Sequence, residues 1–231
     1  METYFKEAGQ GKPVVYLHGW GADGSIFAST AALLSNYRNI MLDFAGFGNS
    51  APPPEQGWDV FDYANQLADF LVSNSLTKVT LVAHSFGCRV AMVVSALHPD
   101  LVDRILLFAP AGLRRKSFVR WCKVCYYKIC KRLCPKRAEC FASDDYRNAP
   151  PHLRNTFVKV VNYDLSAYAK KVTCKTLIIA ARKDKAVPLK DAKRLHRLIK
   201  QSDFYVVDGD HFALFYSPAA FANIVRLFVE E

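Results

Sequence analysis

Three residues in this chain have the types and spacing that acyl chemistry needs: Ser85, Asp184 and His211. Ser85 lies in His84-Ser85-Phe86-Gly87, after the apolar β-branched run 79–83 and before an apolar stretch with helical spacing. Strand, sharp turn and helix in that order stand a serine hydroxyl out of a sheet's carboxyl edge, on a strained backbone. The helix passes close over the strand, so the positions two before and two after the serine have to be small, as Ala83 and Gly87 are. So short a pattern also fits a buried serine at the start of an ordinary helix, and the choice rests on what else reaches the same edge.

Asp184 stands just past the apolar run 175–180, and His211 just past the run 204–207, in Asp208-Gly209-Asp210-His211-Phe212. If these runs are parallel strands of one sheet, hydroxyl, carboxylate and imidazole emerge together, in the chain order serine, acid, histidine. A serine that transfers an acyl group needs a base to take its proton, a carboxylate to orient that base, and amide donors where the oxyanion forms. His211 is the base and Asp184 the carboxylate. The amides of Trp20, after the glycine turn His18-Gly19, and of Phe86, after the nucleophile, are the oxyanion donors. Asp210 is a rival acid, but neighbouring side chains in a loop seldom face each other, and Asp184 is favoured. His18 is read as a structural hydrogen-bonding residue. His84 is read as pointing away from the hydroxyl, and Arg89, one turn into the helix, as half of a structural salt bridge.

These groups need a sheet to carry them. Strands are expected at 14–17, 39–42, 79–83, 104–108, 175–180 and 204–207. Helices are expected at 25–36, after Ser85, from Pro218, and from Asp59 to about residue 74, the last with Phe61, Leu67, Phe70 and Leu71 inward. The alternation gives an α/β fold, a mostly parallel central sheet with helices on both faces and the ligand site at the strands' carboxyl ends. Some sixty residues of different composition separate two central strands. Residues 112–173 are therefore read as an inserted helical lid, and 1–111 with 174–231 as the core domain. Within the lid, 117–133 plots as an amphipathic helix with Phe118, Cys122, Cys125, Tyr126, Ile129 and Leu133 on one face, and a second helix is expected over 151–161. Phe118, Trp121, Cys122 and Tyr126 are the lid residues assigned to substrate contact.

A chain of 231 residues, 51% hydrophobic and 23% charged, is globular. No basic-then-apolar leader opens it and no apolar run is long enough to span a bilayer, so it is read as cytoplasmic, with its seven cysteines reduced. The spacing Cys122-x2-Cys125-x4-Cys130-x3-Cys134 matches no standard zinc or iron–sulfur pattern, so neither a metal nor a cofactor is expected. The net charge is +10, and ten basic residues against Glu139 alone lie between Gly112 and Cys140, so one segment carries nearly all of the excess. That face of the lid is read as solvated, with weak contact to an anionic membrane surface, or attraction of acidic substrates, as the alternative. Nucleic acid is not an expected partner, because no recognition module is present.

His18-Gly19-Trp20, Asp43-Phe44-Ala45-Gly46-Phe47-Gly48-Asn49-Ser50, Ala83-His84-Ser85-Phe86-Gly87, Asp184 with Val187-Pro188, and Gly209-Asp210-His211-Phe212 together resemble the α/β-hydrolase superfamily, in its lidded esterase and C–C-hydrolase-like branch. The resemblance spans nearly all of the chain outside the lid, and five motifs in order are far more specific than any one. It implies Ser85 as nucleophile, His211 as base, Asp184 as orienting acid, and the Trp20 and Phe86 amides as oxyanion hole. Two positions depart from the family pattern. Ala45 stands where the family often has proline, and Ala83 replaces the first elbow glycine; both bear on turn stiffness more than on chemistry. The activity implied is hydrolysis of a small-molecule carboxylic ester with an apolar portion through an acyl-Ser85 intermediate. The same triad could instead cleave a C–C bond in a dienoic keto acid or pass the acyl group to another acceptor. A ligand receptor on a hydrolase scaffold is the reading from a different class.

Overall fold

A computed structural model describes residues 3–114 and 144–231. Among them, strands β1 (Phe5–Ala8), β2 (Lys12–Leu17), β3 (Tyr37–Leu42), β4 (Val79–His84), β5 (Val102–Phe108), β6 (Lys175–Ala181) and β7 (Ser202–Val207) form one sheet in the order β1-β3-β2-β4-β5-β6-β7. Every neighbouring pair is parallel except β1, which runs antiparallel on β3. The helices are α1 (Ala28–Ala31), α2 (Val60–Ser73), α3 (Phe86–Leu97), α4 (Asp144–Asn148), α5 (Arg154–Asn162), α6 (Ser166–Ala169), α7 (Leu189–Leu198) and α8 (Pro218–Glu230).

Alternation of side chains along the strands divides the core in two. Val15, Leu17, Leu81, Ala83, Ile105 and Leu107 face α2, α3 and α7, while Val14, Tyr16, Val82, Leu106 and Phe108 face α1 and α8. Strands covered on both faces are apolar at every position, and all six residues of β4 are buried. Helix α2 begins as its sequence dictates: the Asp59 carboxylate accepts from the amides of Phe61 and Asp62, and Asp62 accepts in return from the amide of Asp59. Leu67, Phe70 and Leu71 are buried as expected, with Tyr63 beside them, whereas Phe61 is only half-buried and packs on Tyr163 and Tyr168.

The chain departs from the sequence reading in three places. The helix expected over 25–36 is a 3-10 turn, Gly24–Phe27, followed by the single turn of α1. Buried Asn39 takes the carbonyls of Leu34 and Tyr37 through its side-chain amide, so the backbone there satisfies itself as turns. Strand β1 has no apolar alternation to announce it, being an edge strand with one half-buried and three exposed residues. Helix α7 buries only Ala192 and Leu195 and went unread.

Helices α4 to α6 lie in the long connection between β5 and β6, and the expected second helix starts as a 3-10 turn at Pro151–Leu153 before α5. This segment sits on the loops at the strands' carboxyl ends. Thr156 Oγ accepts from the amide of Trp58, Lys159 Nζ donates to the Gly57 carbonyl, and the ring of Phe157 lies 5.1 Å from that of Trp20. Leu165, Ala169 and Val172 join the same core cluster as α3. Arg89, on α3, donates from Nη1 to the carbonyls of Val160 and Tyr163, which ties the core helix to the end of α5. Phe118, Trp121, Cys122 and Tyr126, with the basic stretch and helix 117–133, lie outside the described residues. No described helix is long and apolar enough to cross a membrane.

Candidate active site

Ser85 sits between β4 and α3 with φ 49° and ψ −103°, a backbone that costs a non-glycine residue on the order of 1–3 kcal/mol. Three contacts hold it there. Its amide donates to the Phe108 carbonyl at 3.0 Å, the Gly87 amide donates to the His18 carbonyl at 3.1 Å, and α3 continues directly from Phe86. A Cβ on Gly87 would lie 2.3 Å from the Leu17 carbonyl oxygen, so glycine is required where the helix crosses β2. Ala83 lies wholly buried in β4, opposite Leu17 and Leu107, and its methyl group is accommodated there.

On the other side, Asp184 and His211 meet as read from the sequence. His211 Nδ1 lies 2.7 Å from Asp184 Oδ2, and the aspartate side chain is completely buried. A carboxylate accepts, so Nδ1 carries the proton and Nε2 is left as the basic nitrogen. The second oxygen of Asp184 accepts from the amides of Ala186 and Val187, both at 2.8 Å. These amides were not singled out in the sequence; an aspartate followed at short range by Val187-Pro188 is the signal that could have found them. Asp210 is engaged elsewhere, accepting from the Phe212 amide and from the Tyr216 hydroxyl.

The glycine turn after β2 completes the enclosure. The Trp20 ring lies 5.6 Å from that of Phe86, so the two residues expected to donate to an oxyanion are neighbours. The amide of Phe86 is at the first position of α3, where no intrahelical acceptor exists. His18 is structural. Its Nδ1 donates to the Gly19 carbonyl at 2.8 Å and its Nε2 accepts from the Phe44 amide at 3.0 Å, pinning the turn to the next loop. Burial holds it neutral, at about 4. Ala45, in place of the family's proline, donates its amide to Gln66 Oε1, a bond proline could not make. Cys88 is buried behind Ser85, where its Sγ donates to the Ala83 and Phe108 carbonyls and burial pushes the thiol well up.

The alpha/beta hydrolase fold family matches residues 12–123. The chain has the α/β-hydrolase fold. Among its relatives, 2-hydroxy-6-oxo-6-(2'-aminophenyl)hexa-2,4-dienoic acid hydrolase of Metapseudomonas resinovorans is 25% identical, over 100% of this chain and 88% of that protein. A serine hydrolase involved in carbazole degradation is similar in structure with a TM-score of 0.77 at 27% identity, over 99% of this chain and 94% of that one. An esterase from Exiguobacterium antarcticum superposes with a TM-score of 0.80 at 23% identity, over 99% and 96% of the two chains. In this fold the long connection carrying α4 to α6 follows β5, the strand beside the one that leads into Ser85.

Proposed function

We propose that the protein is a serine hydrolase of carboxylic esters. The observation that carries the reading is the His211–Asp184 hydrogen bond of 2.7 Å, with the carboxylate buried and doubly held by amides, beside a serine on a strained elbow. Ser85 Oγ attacks the ester carbonyl while His211 Nε2 takes its proton. The amides of Trp20 and Phe86 receive the oxyanion, and His211 returns the proton to the departing alcohol. The acyl-Ser85 ester is then opened by a water that His211 deprotonates. No step calls for a metal or cofactor. Residues 112–173 would cap the site, with Phe118, Trp121, Cys122 and Tyr126 offering apolar contacts to the substrate and the basic residues turned to solvent.

The test is hydrolysis of p-nitrophenyl esters from acetate to palmitate, wild type beside Ser85→Ala. Turnover that falls about 10⁴-fold or more in the variant supports the acyl-enzyme, and the chain-length optimum sizes the acyl pocket. A folded wild type inert to every ester overturns the ester assignment. In that event the second reading, C–C hydrolysis, takes over; it is favoured by the dienoic acid hydrolase aligned along the whole chain. It requires consumption of a 2-hydroxy-6-oxohexa-2,4-dienoic acid, again abolished by Ser85→Ala.

A further inference from the structure

We propose that His84, the residue before the nucleophile, is a positioning residue that sets the catalytic histidine against the oxyanion turn. This inference rests on the serine-hydrolase reading above. The ring is 1% exposed and is bonded at one end: Nε2 lies 2.9 Å from the main-chain carbonyl oxygen of His211. A carbonyl only accepts, so Nε2 carries the proton and Nδ1 is a bare acceptor. Nδ1 is buried and has no hydrogen-bond partner. It faces Gly19 at the opposite end, where a Cβ would come within 2.8 Å of it.

One imidazole therefore fills the gap between the glycine turn that precedes Trp20 and the loop that bears His211. Aromatic rings fix its plane, with Phe108 stacked at 5.3 Å, Phe215 edge-on at 5.0 Å and Phe212 at 5.4 Å. A buried nitrogen without a partner is destabilising, and phenylalanine would fill the same space without that penalty. What histidine adds is the donor to His211. The His84 ring also lies 4.7 Å from the His211 ring. Burial holds it uncharged, down to about 3, so no second cation stands beside the imidazolium that forms when His211 accepts the serine proton.

The experiment follows the labelling of Ser85 by an alkyl fluorophosphonate, which needs no knowledge of the natural substrate. In that step the Ser85 Oγ–P bond forms, the P–F bond breaks, fluoride leaves and the serine proton passes to His211. His84→Phe keeps the ring and removes the donor; His84→Gln puts an amide N–H near the position of Nε2. The first variant should lose about 10- to 100-fold in maximal labelling rate, with half-saturating reagent concentration within about twofold of wild type and an unchanged near-ultraviolet dichroism spectrum. The second should recover to within about threefold of wild type. A His84→Phe protein that labels at the wild-type rate overturns the proposal, and so does equal impairment of both variants. If His84→Phe does not fold, a folded His84→Gln slowed 10-fold or more is equally decisive against it. Ser85→Ala, which must take no label, is the separate control: labelling elsewhere at the wild-type rate would sink the serine-hydrolase reading itself.

Discussion

The two halves of the candidate site are held by different physics. Ser85 rises from β4, a strand buried at all six positions between β2 and β5. Its elbow is shaped by close packing around two main-chain hydrogen bonds, with the Gly87 backbone against the Leu17 carbonyl and the buried rings of Phe44 and Phe86 close by. Asp184 and His211 follow β6 and the edge strand β7, whose residues are at best half-buried and whose Tyr205 is 62% exposed. That side is shaped by hydrogen bonds, two amides to one aspartate oxygen and the imidazole to the other. A serine on a strained backbone needs a rigid core behind it, whereas a buried carboxylate beside an imidazole needs oriented hydrogen-bond partners.

The contrast can be broken from the hydrogen-bonded side first. Asp184→Asn preserves shape but turns the wrong atoms toward His211 Nδ1, and kcat/KM on a p-nitrophenyl ester should fall by about 10³- to 10⁴-fold with little change in melting temperature. A fall of less than tenfold would mean that the carboxylate does not orient the base. On the packed side the expected injury is to stability. Gly87→Ala drives a methyl group into backbone atoms that cannot swing aside, and urea unfolding should show a loss of about 3 kcal/mol or more. Wild-type stability in that variant would show that the elbow tolerates a wider crossing of α3 over β2.

Acid should weaken the packed side through its buried imidazoles. His18 and His84 are buried and neutral, held at about 4 and about 3, while the unfolded chain protonates both near the ordinary histidine value. Their contribution is therefore complete above about pH 6.5 and is lost as pH falls toward those depressed values, at roughly 1.4 kcal/mol per pH unit for each. Urea midpoints measured from pH 7.5 to 5 should decline with falling pH, and less steeply in His84→Phe; a flat profile would contradict the burial of these rings. The smallest effect separates strain from chemistry. Ser85→Gly and Ser85→Ala both lack the hydroxyl, but only glycine relaxes the backbone at φ 49°, so the glycine variant should be the more stable by about 1 kcal/mol in the same assay.

Much of this could be read from the chain because the signals were local and periodic. The apolar run before His84, the small residues around Ser85, and the places of Ser85, Asp184 and His211 just after apolar strand runs each follow from a few residues in line. Asp59 announced the start of α2, and the capping box is present as the sequence implies. What escaped lacked such a signal. β1 joins the sheet because β3 offers it an edge, and the turn at 24–27 forms where Asp43 takes the Gly24 amide from nineteen residues away.

The sequence by itself determined the α/β-hydrolase fold and which serine, carboxylates and histidine stand at strand ends, since residue type and strand-end position are properties of short segments. Only the tertiary structure decided that Asp184 rather than Asp210 faces His211, and that Asp210 instead accepts from Tyr216. Only it turned His84 from a bystander into a bridge between Gly19 and the His211 carbonyl. The contacts of His211 with Asp184 and of His84 with Gly19 and the His211 carbonyl join residues more than twenty positions apart, and their partners are fixed by how strands order themselves in the sheet rather than by anything in the adjoining chain.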